Sequence, residues 1–271
     1  MNKTRNQSEE SCPGRTSTTK SKKTGKIAAI ILAIAVWQAG AMIIGNSLLL
    51  AAPLTVARRL IELGAGIDFW KAIGFSFVRI VSGFLLALAA GIALAVAAGR
   101  FRFLEEIFYP YIMTVKSTPV ASFIVLCLIW LNSKSLSVFI AFLIVLPIVY
   151  TNVLQGISST DRKLLEMADL FRVKWWRRLL YIYIPQITPY LISACSVSIG
   201  MSFKAGIAAE LIGIPSGSIG ERLYEAKVYL DTGDLFAWSL VIITISVLFE
   251  KLFIYVSKLI LKSGGKTKVE H

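Results

Sequence analysis

The stretch between Arg79 and Arg100 runs for twenty residues without a charged side chain. An α-helix rises about 1.5 Å per residue, so this stretch can cross a hydrocarbon core of about 30 Å. Similar apolar stretches recur along the chain, and only 17% of its 271 residues are charged, whereas a soluble domain carries about 25%. We therefore predict an all-α fold, a polytopic bundle of about six transmembrane helices.

The apolar stretches divide the chain into a membrane domain, 27–262, between two polar tails. The predicted spans are 27–44, 75–99, 111–131, 136–156, 189–212 and 235–261. Pro53 is well placed to open an amphipathic helix, 53–63, at the membrane interface. Residues 1–26 are polar and are predicted to be a disordered cytoplasmic tail, and 263–271 a second cytoplasmic tail. A five-span core with one additional N-terminal span, or a cleaved first span, remains an alternative.

Positive charge predicts the orientation of these spans. With six spans and the N-terminus inside, the cytoplasmic segments hold nineteen Lys and Arg and the external segments six, within a net charge of +13. Lys and Arg are enriched on the cytoplasmic side of membrane proteins. Both termini are therefore predicted to be cytoplasmic, and so is the basic segment 161–185. Because the basic residues flank apolar spans, lipid is the expected partner and nucleic acid is not.

The sequence offers little for catalysis or metal binding. The single histidine is His271, and the three cysteines form no CxxC pair. No metal site or cofactor is expected. Residues 264–267 read Gly-Gly-Lys-Thr, like the end of a phosphate loop, but the position of the required first glycine is Ile260. We therefore expect no ATP site and no enzyme activity in this chain.

The basic segment after the fourth predicted span carries the most specific pattern. It reads Glu-Met-Ala-Asp-Leu-Phe-Arg over 166–172 and, after nine residues, Ile-Tyr-Ile-Pro, ending at Pro185. This resembles the signature E-A-A-x3-G-x9-I-x-L-P of permease subunits in bacterial binding-protein-dependent ABC importers. Met167 replaces an alanine, and Arg172 stands where the family has a glycine that allows a turn. At Arg172 the backbone must take another route or carry strain at a positive φ.

The resemblance extends over about residues 53–261. Residues 76–84 match a Ser-x-x-Arg-x-x-x-Gly-Phe stretch, and residues 208–213 and 230–232 resemble the branch that imports nitrate, sulfonates and taurine. This resemblance implies that the chain is part of a type I importer in the bacterial plasma membrane. Its expected partners are a second permease copy, two cytoplasmic ABC ATPase subunits that bind the ATP, and an extracytoplasmic substrate-binding protein. The residues implied in ATPase coupling are Glu166, Ala168, Asp169, Leu170, Arg172 and Pro185.

The residue types fit that role as well. Apolar residues around Leu164 and polar residues around Glu166 form the two-faced pattern of a helix that docks in a groove. An ordinary amphipathic helix, with its basic residues against lipid phosphates, is the alternative.

Charges inside the predicted spans suggest a translocation pathway. A charge at the bilayer centre costs about 2.5–3.5 kcal/mol on insertion scales, so it normally faces a partner or an aqueous cavity. The candidate pathway residues are Lys116, Pro119, Lys204 and Glu210. Our hypothesis is that Lys204 attracts an anionic substrate group and that Glu210 makes a structural bond near the outer mouth. Alternatively, both side chains snorkel or pair between helices.

The predicted function is the permease subunit of an ATP-driven importer for a small solute, with a nitrate, sulfonate or taurine class favoured. A vitamin-precursor importer of the same family is an alternative cargo. An ion-coupled carrier that works without an ATPase is an alternative mechanism, although no internal repeat is evident.

Overall fold

The computed structural model describes residues 18–46 and 49–266, and the regular structure in this part of the chain is entirely helical. The predicted all-α class is confirmed. The helices are α1 (Thr18–Ile44), α2 (Pro53–Gly64), α3 (Ile67–Arg100), α4 (Arg102–Ser117), α5 (Val120–Leu128), α6 (Ser133–Ser158), α7 (Arg162–Leu170), α8 (Trp175–Arg178), α9 (Ile184–Gly213), α10 (Ile219–Val228) and α11 (Thr232–Lys266). A π-helical turn, Leu179–Tyr183, joins α8 to α9.

The described residues do not confirm the predicted count of six spans. Within the described residues, four helices are long and apolar enough to cross a membrane: α3, α6, the continuous unit Trp175–Gly213, and Thr232–Leu259 of α11. The pair α4 and α5 adds a fifth if it counts as one span, although it is bent by 99°. The apolar part of α1, Ile31–Ile44, falls in a shorter class. The count of six is therefore not confirmed.

Only part of each predicted tail lies within the residues that the structure describes. Helix α1 begins at Thr18 and α11 continues to Lys266, so both helices extend into segments that were assigned to tails. Residues 1–17 and 267–271 lie outside the described part of the chain.

Helix α6 forms the centre of the bundle, between α3 and α9. Close approach depends on Gly83 of α3, where a Cβ atom would lie 2.4 Å from the carbonyl oxygen of Val138 on α6. The next residue, Phe84, is fully buried, and its ring centroid lies 5.2 Å from that of Phe253 on α11. The Gly-Phe pair noted in the sequence thus fastens α3 to two neighbouring helices.

Helix α2, the predicted interfacial helix, is attached to the start of α11. Both nitrogens Nε and Nη2 of Arg59 donate to the carboxylate of Asp234, at 2.6 and 2.9 Å. This two-bond contact raises the pKa of Arg59, and a bond from Arg59 lowers the pKa of Glu62 on the same helix. Such bidentate pairs fix orientation as well as distance.

Candidate functional site

Helix α7, which carries the signature sequence, begins with a capped turn that is joined to α9. The side chain of Asp161 accepts a hydrogen bond from the backbone N–H of Lys163 at 2.9 Å, as an N-cap residue does. The backbone N–H of Asp161 donates to Oε1 of Gln186, also at 2.9 Å. The start of α7 is therefore connected to the first turn of α9.

Arg172 ends α7 in the left-handed conformation, with φ of 49°. Its N–H donates to the carbonyl of Asp169 at 3.0 Å, and the N–H of Val173 donates to the carbonyl of Ala168 at 2.9 Å. These two bonds form a Schellman motif, in which glycine is the usual residue at the position of Arg172. Arg172 therefore makes the turn for which the signature has a glycine, and its backbone carries a strain of about 1 kcal/mol.

Arg178 holds the end of α7 against α8, a role that the sequence analysis missed. Its guanidinium lies 2.5 Å from Oδ1 of Asp169 and donates to the carbonyls of Ala168 and Val173, at 3.2 and 3.0 Å. Its side chain is only 24% exposed. In the alternative interpretation of this segment, its basic residues contact lipid phosphates. A cation a few residues beyond a helix C-terminus was the available signal, because such side chains commonly bond the last carbonyls.

The signature residues of α7 divide between a buried and an exposed face. Ala168 is 1% exposed, so it permits close packing within the chain and presents no surface to a partner. Glu166 is exposed and makes no hydrogen bond or ion pair with the described residues. Next to it lie four exposed apolar side chains, which we call the α7 patch: Leu164, Met167, Leu170 and Phe171. Leu170 is the most solvent-exposed of the four, at 81%.

Pro185 lies in the first turn of α9, directly after the π-helical turn. Proline has no N–H to donate to the carbonyl of Tyr181, four residues earlier. In the π-helical turn the N–H of Ile184 bonds instead to the carbonyl of Leu179. The proline therefore stands where the helical unit changes its hydrogen-bonding pattern between the α7 segment and the membrane helix.

Lys204 and Glu210 point to different sides of α9, as their spacing predicted. Lys204 is exposed and follows Val197 and Met201 on one apolar face of the helix. It makes no hydrogen bond or ion pair within the ranges 18–46 and 49–266. Glu210 is fully buried. Of these two side chains, only the lysine reaches the surface of the chain.

Glu210 connects three helices at the end of the bundle opposite α7. Its Oε2 accepts a hydrogen bond from the hydroxyl of Ser76 on α3 at 2.6 Å and a longer one from the N–H of Gly220 on α10 at 3.5 Å. The Ser76 oxygen also accepts the N–H of Ile219 at 2.9 Å. The carboxylate thus lies at the N-terminus of α10, where negative charge is stabilised.

Arg79 lies one turn after Ser76 in the same sequence stretch. Its guanidinium stacks over the ring of Phe75 at 4.2 Å, and its Nη1 is buried with no hydrogen-bond partner among the described atoms. The structure thus brings the serine of the sequence motif into contact with the buried acid on α9, whereas the arginine forms no hydrogen bond or ion pair with it among the described residues.

A second acidic side chain in a spanning helix went unnoticed in the sequence. Glu250 of α11 accepts a hydrogen bond from the hydroxyl of Ser196 on α9. Glu250 lies in an apolar run, directly before Lys251. An acidic residue within a predicted span was the one sequence signal that could have identified it.

Lys116 and Pro119 flank the break between α4 and α5. Helix α4 ends at Ser117, Pro119 is the N-cap residue of α5, and both Lys116 and Pro119 are exposed. The 99° bend lies within the predicted span 111–131. Helix breaks of this kind occur beside cavities in transporters.

A bundle of membrane-spanning helices with an exposed amphipathic segment between two of them defines a multi-pass membrane protein. The chain belongs to the family of binding-protein-dependent transport system inner membrane components, whose model matches residues 83–262. The importer-permease resemblance read from the sequence is confirmed. The protein is an ABC transporter permease of the inner membrane.

Several named relatives are similar over most of their length. A putative aliphatic sulfonates transport permease protein, SsuC of Bacillus subtilis (strain 168), is 26% identical over 207 residues, which are 75% of this chain and 74% of the relative. The bicarbonate transport system permease protein CmpB of Synechococcus elongatus is 21% identical over 196 residues, 72% of this chain and 70% of the relative. The nitrate import permease protein NrtB of the same organism is 23% identical over 152 residues, 56% of this chain and 54% of the relative.

Proposed function

We propose that this chain forms the translocation pathway of an ATP-driven importer and that a separate ATPase drives it by docking on the α7 patch. The exposed apolar side chains next to Glu166 carry this proposal. An apolar helix face with a free carboxylate beside it fits the groove of a partner protein. Because the chain lacks a complete phosphate loop, the ATP would be bound by that partner.

The contacts around α7 support the transmission of force to the membrane helices. Arg178 ties the end of α7 to α8, and Gln186 ties its start to α9. A movement of α7 would therefore move α9, which carries Lys204 and Glu210. In the proposed complex two permease copies enclose the pathway, two ATPase subunits bind their α7 helices, and ATP binding switches the pathway between its two openings.

The proposed orientation places both termini and α7 in the cytoplasm, as the excess of positive charge there indicates. A substrate-binding protein would then dock at the opposite end of the bundle, near α10. Helix α10 is held there by Glu210, so we assign this acid a structural role beside the outer mouth.

We propose a small anion as the cargo. The three relatives described above carry the names of sulfonate, bicarbonate and nitrate permeases. Lys204 supplies an unpaired positive charge on an exposed apolar face, where it would attract such an anion. Lys116 and Pro119, at the bend between α4 and α5, are further candidates for the wall of the pathway.

Site-specific cross-linking tests the docking proposal. Leu170→Cys would be introduced into a chain whose native cysteines are replaced by serine, and native membranes would be treated with a short thiol-to-amine cross-linker. We expect an adduct with an ABC ATPase from Leu170→Cys. Tyr229→Cys, which is equally exposed at the opposite end of the bundle, should give none. Uptake without any ATPase adduct, or uptake by this chain alone driven by an ion gradient, would overturn the proposal and favour the carrier.

A further inference from the structure

A cavity of about 100 Å³ lies between the end of α3, the end of α6 and the helical unit that leads from α7 into the membrane. Its walls include Val96 and Arg100 of α3, Ile157 of α6, Trp175 of α8, Tyr183 of the π-helical turn and Ile187 of α9. Val96 and Trp175 are 44% and 57% exposed, so the cavity opens on the outside of the bundle. Nothing in the proposed transport mechanism uses it.

The cavity combines an apolar interior with one available cation. Arg100 is exposed and forms no ion pair within the described part of the chain. Arg100 is the only cation among the residues that line the cavity, whereas Arg178 bonds the end of α7 and Arg102 lies 3.7 Å from Glu106. A ligand that fits must therefore present a negative charge at the rim and hydrocarbon to the interior.

The position of the cavity matches the membrane interface. Arg100 closes the charge-free stretch of α3, and this marks the hydrocarbon boundary on the α7 side. Trp175 and Tyr183 are the residue types that concentrate at that level. In a bilayer the phospholipid phosphates lie at that level, and the acyl chains extend from there into the hydrocarbon core.

We propose that this cavity binds one phospholipid with an anionic headgroup, whose phosphate contacts Arg100 and whose acyl chain packs beside Trp175. Arginine recognises a phosphate through two parallel N–H donors. A soluble phosphate would leave the apolar walls exposed to water, and a neutral lipid would gain less from the arginine. Trp175 and Tyr183 belong to the continuous helical unit Trp175–Gly213, which follows α7 in the chain. The bound lipid therefore stabilises the position of α7 at the membrane surface.

Fluorescence quenching by brominated lipid tests the proposal. The full-length protein, purified with its bound partner subunits in a neutral detergent, is titrated with phosphatidylglycerol or phosphatidylcholine that carries bromine on the acyl chain. Bromine quenches only tryptophans in contact with the chain, and the difference between wild type and Trp175→Phe isolates Trp175. We expect saturable quenching of Trp175 by phosphatidylglycerol and about tenfold weaker binding in Arg100→Gln, because a charge-assisted contact is lost.

Arg102→Gln is the matched control, since it removes the same charge two residues away without touching this cavity, and its affinity should equal that of wild type. The melting temperature of each variant in neutral detergent confirms folding. Equal quenching by the two lipids, equal losses in Arg100→Gln and Arg102→Gln, or displacement by inorganic phosphate would each overturn the proposal. So would quenching of Trp175 that occurs only after the ATPase is removed, because a protein would then occupy the site. The assay takes the ATPase from the proposed function, but lipid binding is measured without transport, so a failure of lipid binding and a failure of transport are distinguishable.

Discussion

Ser76 on α3 and Glu210 on α9, 134 positions apart in the chain, are joined by a 2.6 Å hydrogen bond inside the bundle. Both side chains are fully buried, and the serine also accepts a backbone N–H at the start of α10. A buried carboxylate is tolerated only when such donors compensate for its lost hydration. This contact therefore helps to position the start of α10 against α3 and α9.

The first prediction concerns that bond. Ser76→Ala removes a donor from a buried carboxylate and should lower the free energy of unfolding by about 1.5–3 kcal/mol, the range for hydrogen bonds to charged groups. Ser82→Ala is the control, because Ser82 bonds only the carbonyl of Arg79 in its own helix. Denaturant titration of the purified protein measures both. Equal stability of the two variants would show that the bond contributes nothing.

The second prediction concerns Gly220, at the start of α10. A Cβ atom there would lie 2.3 Å from the Cβ of Glu210, so Gly220→Ala must push α10 away from α9. We expect a loss of about 1–3 kcal/mol in stability, as for overpacked sites. Gly74→Ala in α3 is the control, since no atom lies within 4 Å of its added Cβ and alanine favours the helix. Thermal melting distinguishes them, and an unaffected Gly220→Ala would contradict the close approach.

The third prediction concerns the strained turn after α7. Arg172→Gly should raise stability by about 1 kcal/mol, because glycine adopts a φ of 49° without a steric penalty. Arg172→Ala removes the same side chain but keeps the strain, so it should not gain. Both melting temperatures are measured in the same detergent. A loss of stability in both variants would mean that the arginine side chain itself contributes.

The fourth prediction concerns Arg178. Arg178→Gln removes the guanidinium that contacts Asp169, Ala168 and Val173, so the end of α7 should exchange its amide hydrogens about tenfold faster. Arg177→Gln is the neighbouring control, because Arg177 is exposed and makes no side-chain bond in the described region. Hydrogen exchange read by mass spectrometry tests this, and unchanged exchange in Arg178→Gln would exclude the proposed bracing.

The fifth prediction concerns the cargo. Lys204→Met removes the exposed cation from α9 and should reduce the uptake of an anionic substrate about tenfold, since the charge attraction is lost. Lys251→Met, at another exposed lysine in a spanning helix, serves as the control with expression matched. Radiolabelled uptake into proteoliposomes that contain the whole complex provides the measurement. Undiminished uptake in Lys204→Met would remove the lysine from the pathway.

The features that the sequence predicted correctly are local ones. The charge-free run that stops at Arg100 predicted where α3 ends, and Pro53 predicted where α2 begins. The departure from glycine at Arg172 predicted a strained turn as one of two outcomes, and the structure has it. Each of these depends on residues within a few positions of one another, so periodicity and backbone sterics are sufficient.

The contacts that could not be predicted from the sequence join residues that lie far apart in the chain. Nothing in one sequence pairs Ser76 with Glu210, and the bonds of Arg178 require the fold of the turn before it. The predicted count of six spans is not confirmed, because hydropathy does not report the bend between α4 and α5. Burial of Ala168 likewise depends on how α7 lies on the bundle.

The unbroken helical unit from Trp175 to Gly213 has a geometric consequence. Its 39 residues extend about 58 Å at 1.5 Å per residue, nearly twice the thickness of the hydrocarbon layer. Over that length a tilt of about 5° would displace the far tip by about 5 Å. Opening and closing at one surface could then follow a push at the other without any melting of structure in between.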